Sequence, residues 1–75
     1  MTVKEFFAAH DGNEINVTLR EVSKNIMWET TSYYLKFNDD LHNEWKNANI
    51  LFWEIDDENN MYLDVEKRSA YYEIL

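Results

Sequence analysis

The sequence has no cysteine, no proline and a single glycine. Without cysteine there is no disulfide to staple the fold and no thiolate metal site, and such a composition fits a reducing compartment, with the cytoplasm as the default. Without proline, and with no repeat, linker or low-complexity tract, nothing divides the chain. The 75 residues therefore read as one compact domain, 1–75. Long hydrophobic runs are also missing: no stretch approaches a membrane span, and the opening MTVKEFFAAHD is too charged for a secretory signal. Basic residues are scarce, with 7 Lys and Arg against 15 Asp and Glu, for a formal net charge of −8. That sign disfavours direct binding to nucleic acid or to an anionic membrane, because both reward cations. It favours a basic protein partner.

Aromatic residues are plentiful. A domain this short sits near the lower limit for an adequate core, so three tryptophans, five tyrosines and four phenylalanines must carry much of the burial. A second copy covering a sheet edge is another route to stability, which keeps a homodimer in view.

Local patterns set the element order. Thr2 and Glu5 form a capping box that opens a helix over residues 3–10, with Gly12 placed for a left-handed stop. Ile15, Val17 and Leu19 alternate with polar neighbours, the signature of a half-buried strand. Residues 26–37, IMWETTSYYLKF, are rich in β-branched and aromatic residues and read as a second strand, ending in the alternation Tyr33, Leu35, Phe37. Asn38 then offers an N-cap to a helix over Asp39–Ala48, with Leu41, Trp45 and Ala48 on one face. NILFWEI resumes as a strand, with Leu51, Trp53 and Ile55 on one side and Ile50, Phe52 and Glu54 on the other. DDENN reads as a hairpin turn, and MYLDVE alternates again with Met61, Leu63 and Val65 inward. SAYYEIL, 69–75, is a fifth edge strand or a packed tail. The expected class is α+β: a small single domain with a mostly antiparallel four- or five-stranded sheet and two short helices, in the order α-β-β-α-β-β with an optional last strand.

The chemistry-bearing segment is EIDDENNMYLDVE, residues 54–66, which holds Glu54, Asp56, Asp57, Glu58, Asp64 and Glu66 with no lysine or arginine between them. If Met61, Leu63 and Val65 face the core, then Tyr62, Asp64 and Glu66 face away from it. Like charges on neighbouring strands cost stability, so their accumulation is either a solvated, aggregation-resistant hairpin or a docking face. In the docking reading the carboxylates stand in for a phosphate backbone. Aromatic residues such as Tyr62, Phe52, Tyr71 and Tyr72 then supply anchors, because charge steers while large rings hold.

Other chemistry fits less well. Asp56, Glu58 and Asn60 alternate as calcium ligands would, but Met61 and Lys67 stand where an EF-hand loop needs glycine and a carboxylate, so no metal or other cofactor is expected. His10 and His42 lie far apart in sequence with no nucleophile elbow, phosphate loop or His-x-x-x-His pairing, and no catalytic residue is assigned. The chain is expected not to be an enzyme.

With its helix opening VKEFF, alternating strands INVTL and MYLDVE, and no motif of known chemistry, the chain resembles small acidic bacteriophage and prophage proteins in size, charge and texture. That group includes anti-CRISPR proteins and other DNA mimics. The resemblance implies an inhibitor that occupies a nuclease or other nucleic-acid-binding protein. The expected binding face is Glu54, Asp56, Asp57, Glu58, Tyr62, Asp64 and Glu66; the alternative is a self-associating structural protein using apolar residues such as Phe52 and Trp28.

Overall fold

The capping box forms as its residues dictate. In the computed structural model, which describes residues 1–10, 12–36 and 42–67, the Thr2 amide donates to Glu5 Oε1 at 2.9 Å and the Glu5 amide donates to Thr2 Oγ1 at 3.2 Å. These bonds start helix α1, Val3–Ala8, which buries Val3 and Phe7. The Thr2 amide, followed by its hydroxyl, holds the Glu5 carboxyl below its ordinary range. The helix stops earlier than expected, and Gly12 is not left-handed. The last turn closes without it, because the His10 amide donates to the Phe7 carbonyl at 3.1 Å.

Strand β1, Asn16–Glu21, alternates as expected, with Val17, Leu19 and Glu21 buried. A turn with Asn25 at φ 54° leads to β2, Ile26–Thr31. Asparagine tolerates that left-handed backbone better than most residues. Here the structure departs from the expected strand to Phe37: β2 ends at Thr31 and a helix, α2, occupies Ser32–Lys36. One reason is local and the other is a tie to the start of β1. Thr31 Oγ1 accepts from the Tyr34 amide at 3.3 Å in the manner of a helix N-cap. Ser32, fully buried, has its Oγ accept from the Ile15 amide at 3.0 Å while its own amide donates to the Ile15 carbonyl at 2.9 Å. Leu35 thus reaches the core from a helix, and Tyr33 stays exposed.

Helix α3, Asn43–Lys46, is shorter than the helix expected over Asp39–Ala48: the described residues His42 and Asn47 cap it at its two ends. His42 occupies its N-cap at φ 56°; Asn38, Asp39, Asp40 and Leu41 lie outside the described residues. Trp45 and Ala48 are buried, as their spacing requires. Strands β3, Asn49–Ile55, and β4, Asn60–Glu66, follow as a hairpin turned by Asp56–Asn59, with Asn59 at φ 63°. The segment 69–75, expected as a fifth edge strand or a packed tail, lies outside the described residues.

The architecture is a small α+β domain; its described residues form three short helices and a four-stranded sheet ordered β2-β1-β4-β3. The two hairpins are antiparallel, but β1 and β4 pair in parallel at the centre, which makes the sheet mixed. A short turn dictates the direction of its own two strands and says nothing about how two hairpins meet. The core gathers Val3, Phe7, Leu35, Trp45 and Ala48 from the helical layer onto Val17, Leu19, Met61, Leu63 and Val65 from one sheet face. The core side of β4 is therefore the one expected.

Strand β3 carries a bulge. Its register shifts between Ile50 and Phe52, with Leu51 as the extra residue. As a result Ile50, Trp53 and Ile55 align with the core-facing Val65, Leu63 and Met61, whereas Phe52 and Glu54 align with Asp64 and Tyr62. Ile50, expected beside Phe52 and Glu54, has been moved to the core side by that extra residue.

Candidate functional site

With the helical layer on one sheet face, the other face is left without a helix among the described residues. Alternation fills it. From β1 come Asn16, Thr18 and Arg20; from β4 come Asn60, Tyr62 and Asp64; the parallel register sets them side by side as three rungs. Glu54 and Phe52 flank β4 from β3, and Glu29 and Met27 flank β1 from β2. The Asn16 side-chain amide donates to Asn60 Oδ1 at 3.2 Å, binding the first rung. Asn16, Thr18, Glu29, Thr31, Asn60 and Tyr62 line a shallow concavity beside it.

Arg20 organises the third rung. Its Nε donates to Asp64 Oδ1 at 2.6 Å, its Nη2 donates to Glu54 Oε1 at 3.3 Å, and its Cζ lies 5.3 Å from the centre of the Tyr62 ring. A guanidinium forked between two carboxylates and resting on an aromatic face uses all of its recognition chemistry at once. Glu54 and Asp64 are therefore held in place, and the single positive charge they share neutralises one of their two negative charges. The centre of the acidic face is a salt-bridged platform rather than a bare cluster of charge.

Asp56 has a different task. Its Oδ1 accepts from the Glu58 amide at 2.8 Å and the Asn60 amide at 2.9 Å, while Oδ2 accepts from Asn60 Nδ2 at 3.3 Å and the Tyr62 hydroxyl at 3.4 Å. The Asn60 amide, then that of Glu58, stabilises the charged form and holds the carboxyl below its ordinary range. The Asp56 charge in turn pushes the Tyr62 phenol above its ordinary value. Asp56 is the knot of the hairpin, its oxygens consumed by the turn's own donors.

The remaining members of the expected face, Asp57, Glu58 and Glu66, are exposed. No salt bridge ties them to a cation among the described residues. Unneutralised charge thus sits at the hairpin tip and the rim. Glu29, exposed on β2, adds to the rim. Sequence reasoning missed Glu29 and Arg20, and the only signal for Arg20 was its polar phase on β1. Of the expected aromatic anchors, Phe52 is 56% exposed and Tyr62 half-buried on this face; Tyr71 and Tyr72 lie outside the described residues.

The histidines are aromatic neighbours here. His10 meets the edge of Phe7 at 6.2 Å, and His42 stacks on Trp28 at 4.4 Å, where Trp45 and Tyr34 also gather. Among the described residues no group of three His, Asp or Glu side chains is arranged to hold a metal ion. Nor, among them, is any helix long and apolar enough to cross a membrane.

No protein-family model matches the chain, and comparison with curated proteins and with solved structures gives no match.

Because Asp56 binds the turn as a carboxylate, Asp56→Ala is expected to loosen the hairpin without disturbing the core. Amide hydrogen exchange at Glu58 and Asn60 should accelerate, while exchange at Leu19 and Leu63 stays unchanged. The pH dependence has a definite sign. A carboxyl whose value is lowered in the fold stabilises it fully above the unfolded aspartate value of about 3.9, and that contribution is lost as pH falls through the lower folded value. Stability measured on acidification should therefore fall less in Asp56→Ala than in the native chain.

Proposed function

We propose that the chain is a non-enzymatic acidic protein-binding module, acting in the cytoplasm, that occupies a basic surface of a nucleic-acid-binding protein as an inhibitor of the anti-CRISPR or DNA-mimic kind does. The observation that carries this reading is the division of labour among the carboxylates. Glu54 and Asp64 are held beside Tyr62 by Arg20 on a sheet face that no helix among the described residues covers, while Asp57, Glu58 and Glu66 remain exposed around it. A rigid, partly neutralised platform with an aromatic at its centre is what an interface core needs, since unpaired buried charge there is costly. Exposed rim carboxylates raise the encounter rate with a basic surface and reject acidic ones. The overall charge of −8 acts in the same direction.

This assignment gives the test its design. Asp56 must be left intact, because changing it alters the turn. The variant Asp57→Lys, Glu58→Lys, Glu66→Lys reverses only exposed side chains and is expected to keep the native stability to within about 0.5 kcal/mol. In affinity capture from a bacterial lysate at low salt, the native chain should retain a basic nucleic-acid-binding protein that added duplex DNA displaces. The triple variant should lose at least tenfold in affinity for that protein. Equal retention by both chains, or retention that DNA does not compete, would refute the reading.

A further inference from the structure

The residues most at odds with an exposed position lie on β3. Leu51, Phe52, Trp53 and Ile55 are 60, 56, 51 and 48% exposed, on the strand that forms one edge of the sheet. Long apolar edges are what folded proteins usually avoid, by charge, proline or cover. This edge has one charge, Glu54, which Arg20 already holds.

Part of the edge is closed by the chain itself. The Ile50 amide donates to the Met1 carbonyl at 2.9 Å, the Val3 amide donates to the Ala48 carbonyl at 3.0 Å, and Thr2 bridges Asn49. Met1 to Val3 thus cover β3 up to Ile50, and the hairpin turn begins at Asp56. The window left open by the described residues is Leu51 to Ile55, with Trp53 at its midpoint. Its order is symmetric about Trp53: Phe52 answers Glu54, and Leu51, the bulged residue at the end of the regular stretch, answers Ile55.

We propose that β3 pairs with β3 of a second copy, antiparallel about a two-fold axis at Trp53, joining two sheets into one of eight strands. Trp53 then faces its own copy, Leu51 faces Ile55, and Phe52 faces Glu54, so that no two like charges stand opposed. The area is of the right size. With large side chains presenting about 150–250 Å² each, the four exposed residues offer about 400 Å² per copy. Two copies reach about 800 Å² before the strand backbone is added, against the ~1,000 Å² that marks a specific interface. Met1, 73% exposed beside Ile50, borders the same patch. This inference is independent of the partner reading, since it uses the strand edge and not the rim carboxylates.

Sedimentation equilibrium of the full chain is the test, with Leu51→Lys and Ile55→Glu variants chosen because both side chains are exposed. The native chain should dimerise in the micromolar range, and each variant alone should weaken the dimer at least tenfold with an unchanged circular dichroism spectrum. Mixing the two variants should restore association, because the two-fold register sets position 51 of one copy against position 55 of the other. A native chain that is monomeric at every accessible concentration would overturn the proposal. So would a dimer that either substitution leaves unaffected, or one that mixing fails to restore.

Discussion

Phe7→Ala is expected to lower the unfolding free energy by about 3–5 kcal/mol, the cost of truncating a buried phenylalanine and leaving its cavity. Phe7 is fully buried, and its ring meets Phe6 edge-on at 5.0 Å. At roughly 0.05–0.15 kcal/mol per residue, a chain of this length has only about 4–11 kcal/mol to lose. The variant should therefore lose about half of its stability. Urea titration followed by tryptophan fluorescence checks this: the midpoint should fall to about half its native value. The size of the effect follows from how α1 is attached. Six residues cannot hold a helix alone, so the capping box shapes it and Phe7 with Val3 docks it. Phe6, 6.5 Å from Trp53, links the same helix to the edge strand. A loss below about 1 kcal/mol would mean that α1 contributes little to the core, contrary to its burial.

The second large effect concerns Glu21. Alternation places it on the core side of β1, where a leucine or valine is the usual occupant, and its side chain is 4% exposed. The nearest cations are Lys67, whose Nζ lies 3.7 Å from Oε2, and Lys24, 3.9 Å from Oε1. Oε2 has no hydrogen-bond donor. Lys67 also lies 3.7 Å from the centre of the Trp45 ring, so one ammonium group serves a carboxylate and an aromatic face. Lys67→Met keeps the side-chain volume and removes the charge. It should cost about 2 kcal/mol, because a nearly buried carboxylate loses its closer partner while the 63% exposed Lys24 compensates weakly. Adding Glu21→Met should recover most of that loss, since replacing both members of a buried ion pair by apolar groups is often neutral or stabilising. Denaturant unfolding of the native chain, both single variants and the double variant closes the cycle. Additive losses would show that the pair does not interact.

Much of the fold was legible because it is local. Thr2 and Glu5 announce α1, Val17 and Leu19 announce β1, and Met61, Leu63 and Val65 declare the buried side of β4, each through a spacing that needs no distant partner. The failures have physical causes of their own. Tyr33, Leu35 and Phe37 keep a strand's alternation, but Thr31 caps a helix and Ser32 ties itself to Ile15, and two side-chain hydrogen bonds outweigh a weak period-two pattern. The bulge at Leu51 moved Ile50 across the sheet, and nothing in NILFWEI marks the extra residue. The candidate face was legible as a set of carboxylates, since the phase of β4 alone puts Tyr62 and Asp64 outside the core. What each carboxylate does was not. Glu54 and Asp64 share one arginine more than thirty positions away, and Asp56 is consumed by its own turn. Both facts require knowing which strands lie together.

The parallel join between β1 and β4 also governs how the molecule comes into being. Each hairpin closes over a short turn, an event that takes about 1–10 μs in isolation. Two-stranded hairpins are marginal in water, however, and neither has a complete apolar layer until the other arrives. The rungs that unite them connect residues such as Asn16 and Asn60, 44 positions apart, so the chain entropy of closing that loop must be met before any of their contacts forms. The slow step of folding is accordingly expected at the meeting of the two hairpins, each of which completes the other's apolar layer. Until it occurs, Leu19 and Leu63 lack their cover, and the like charge of the second hairpin's exposed carboxylates opposes association between unfolded chains.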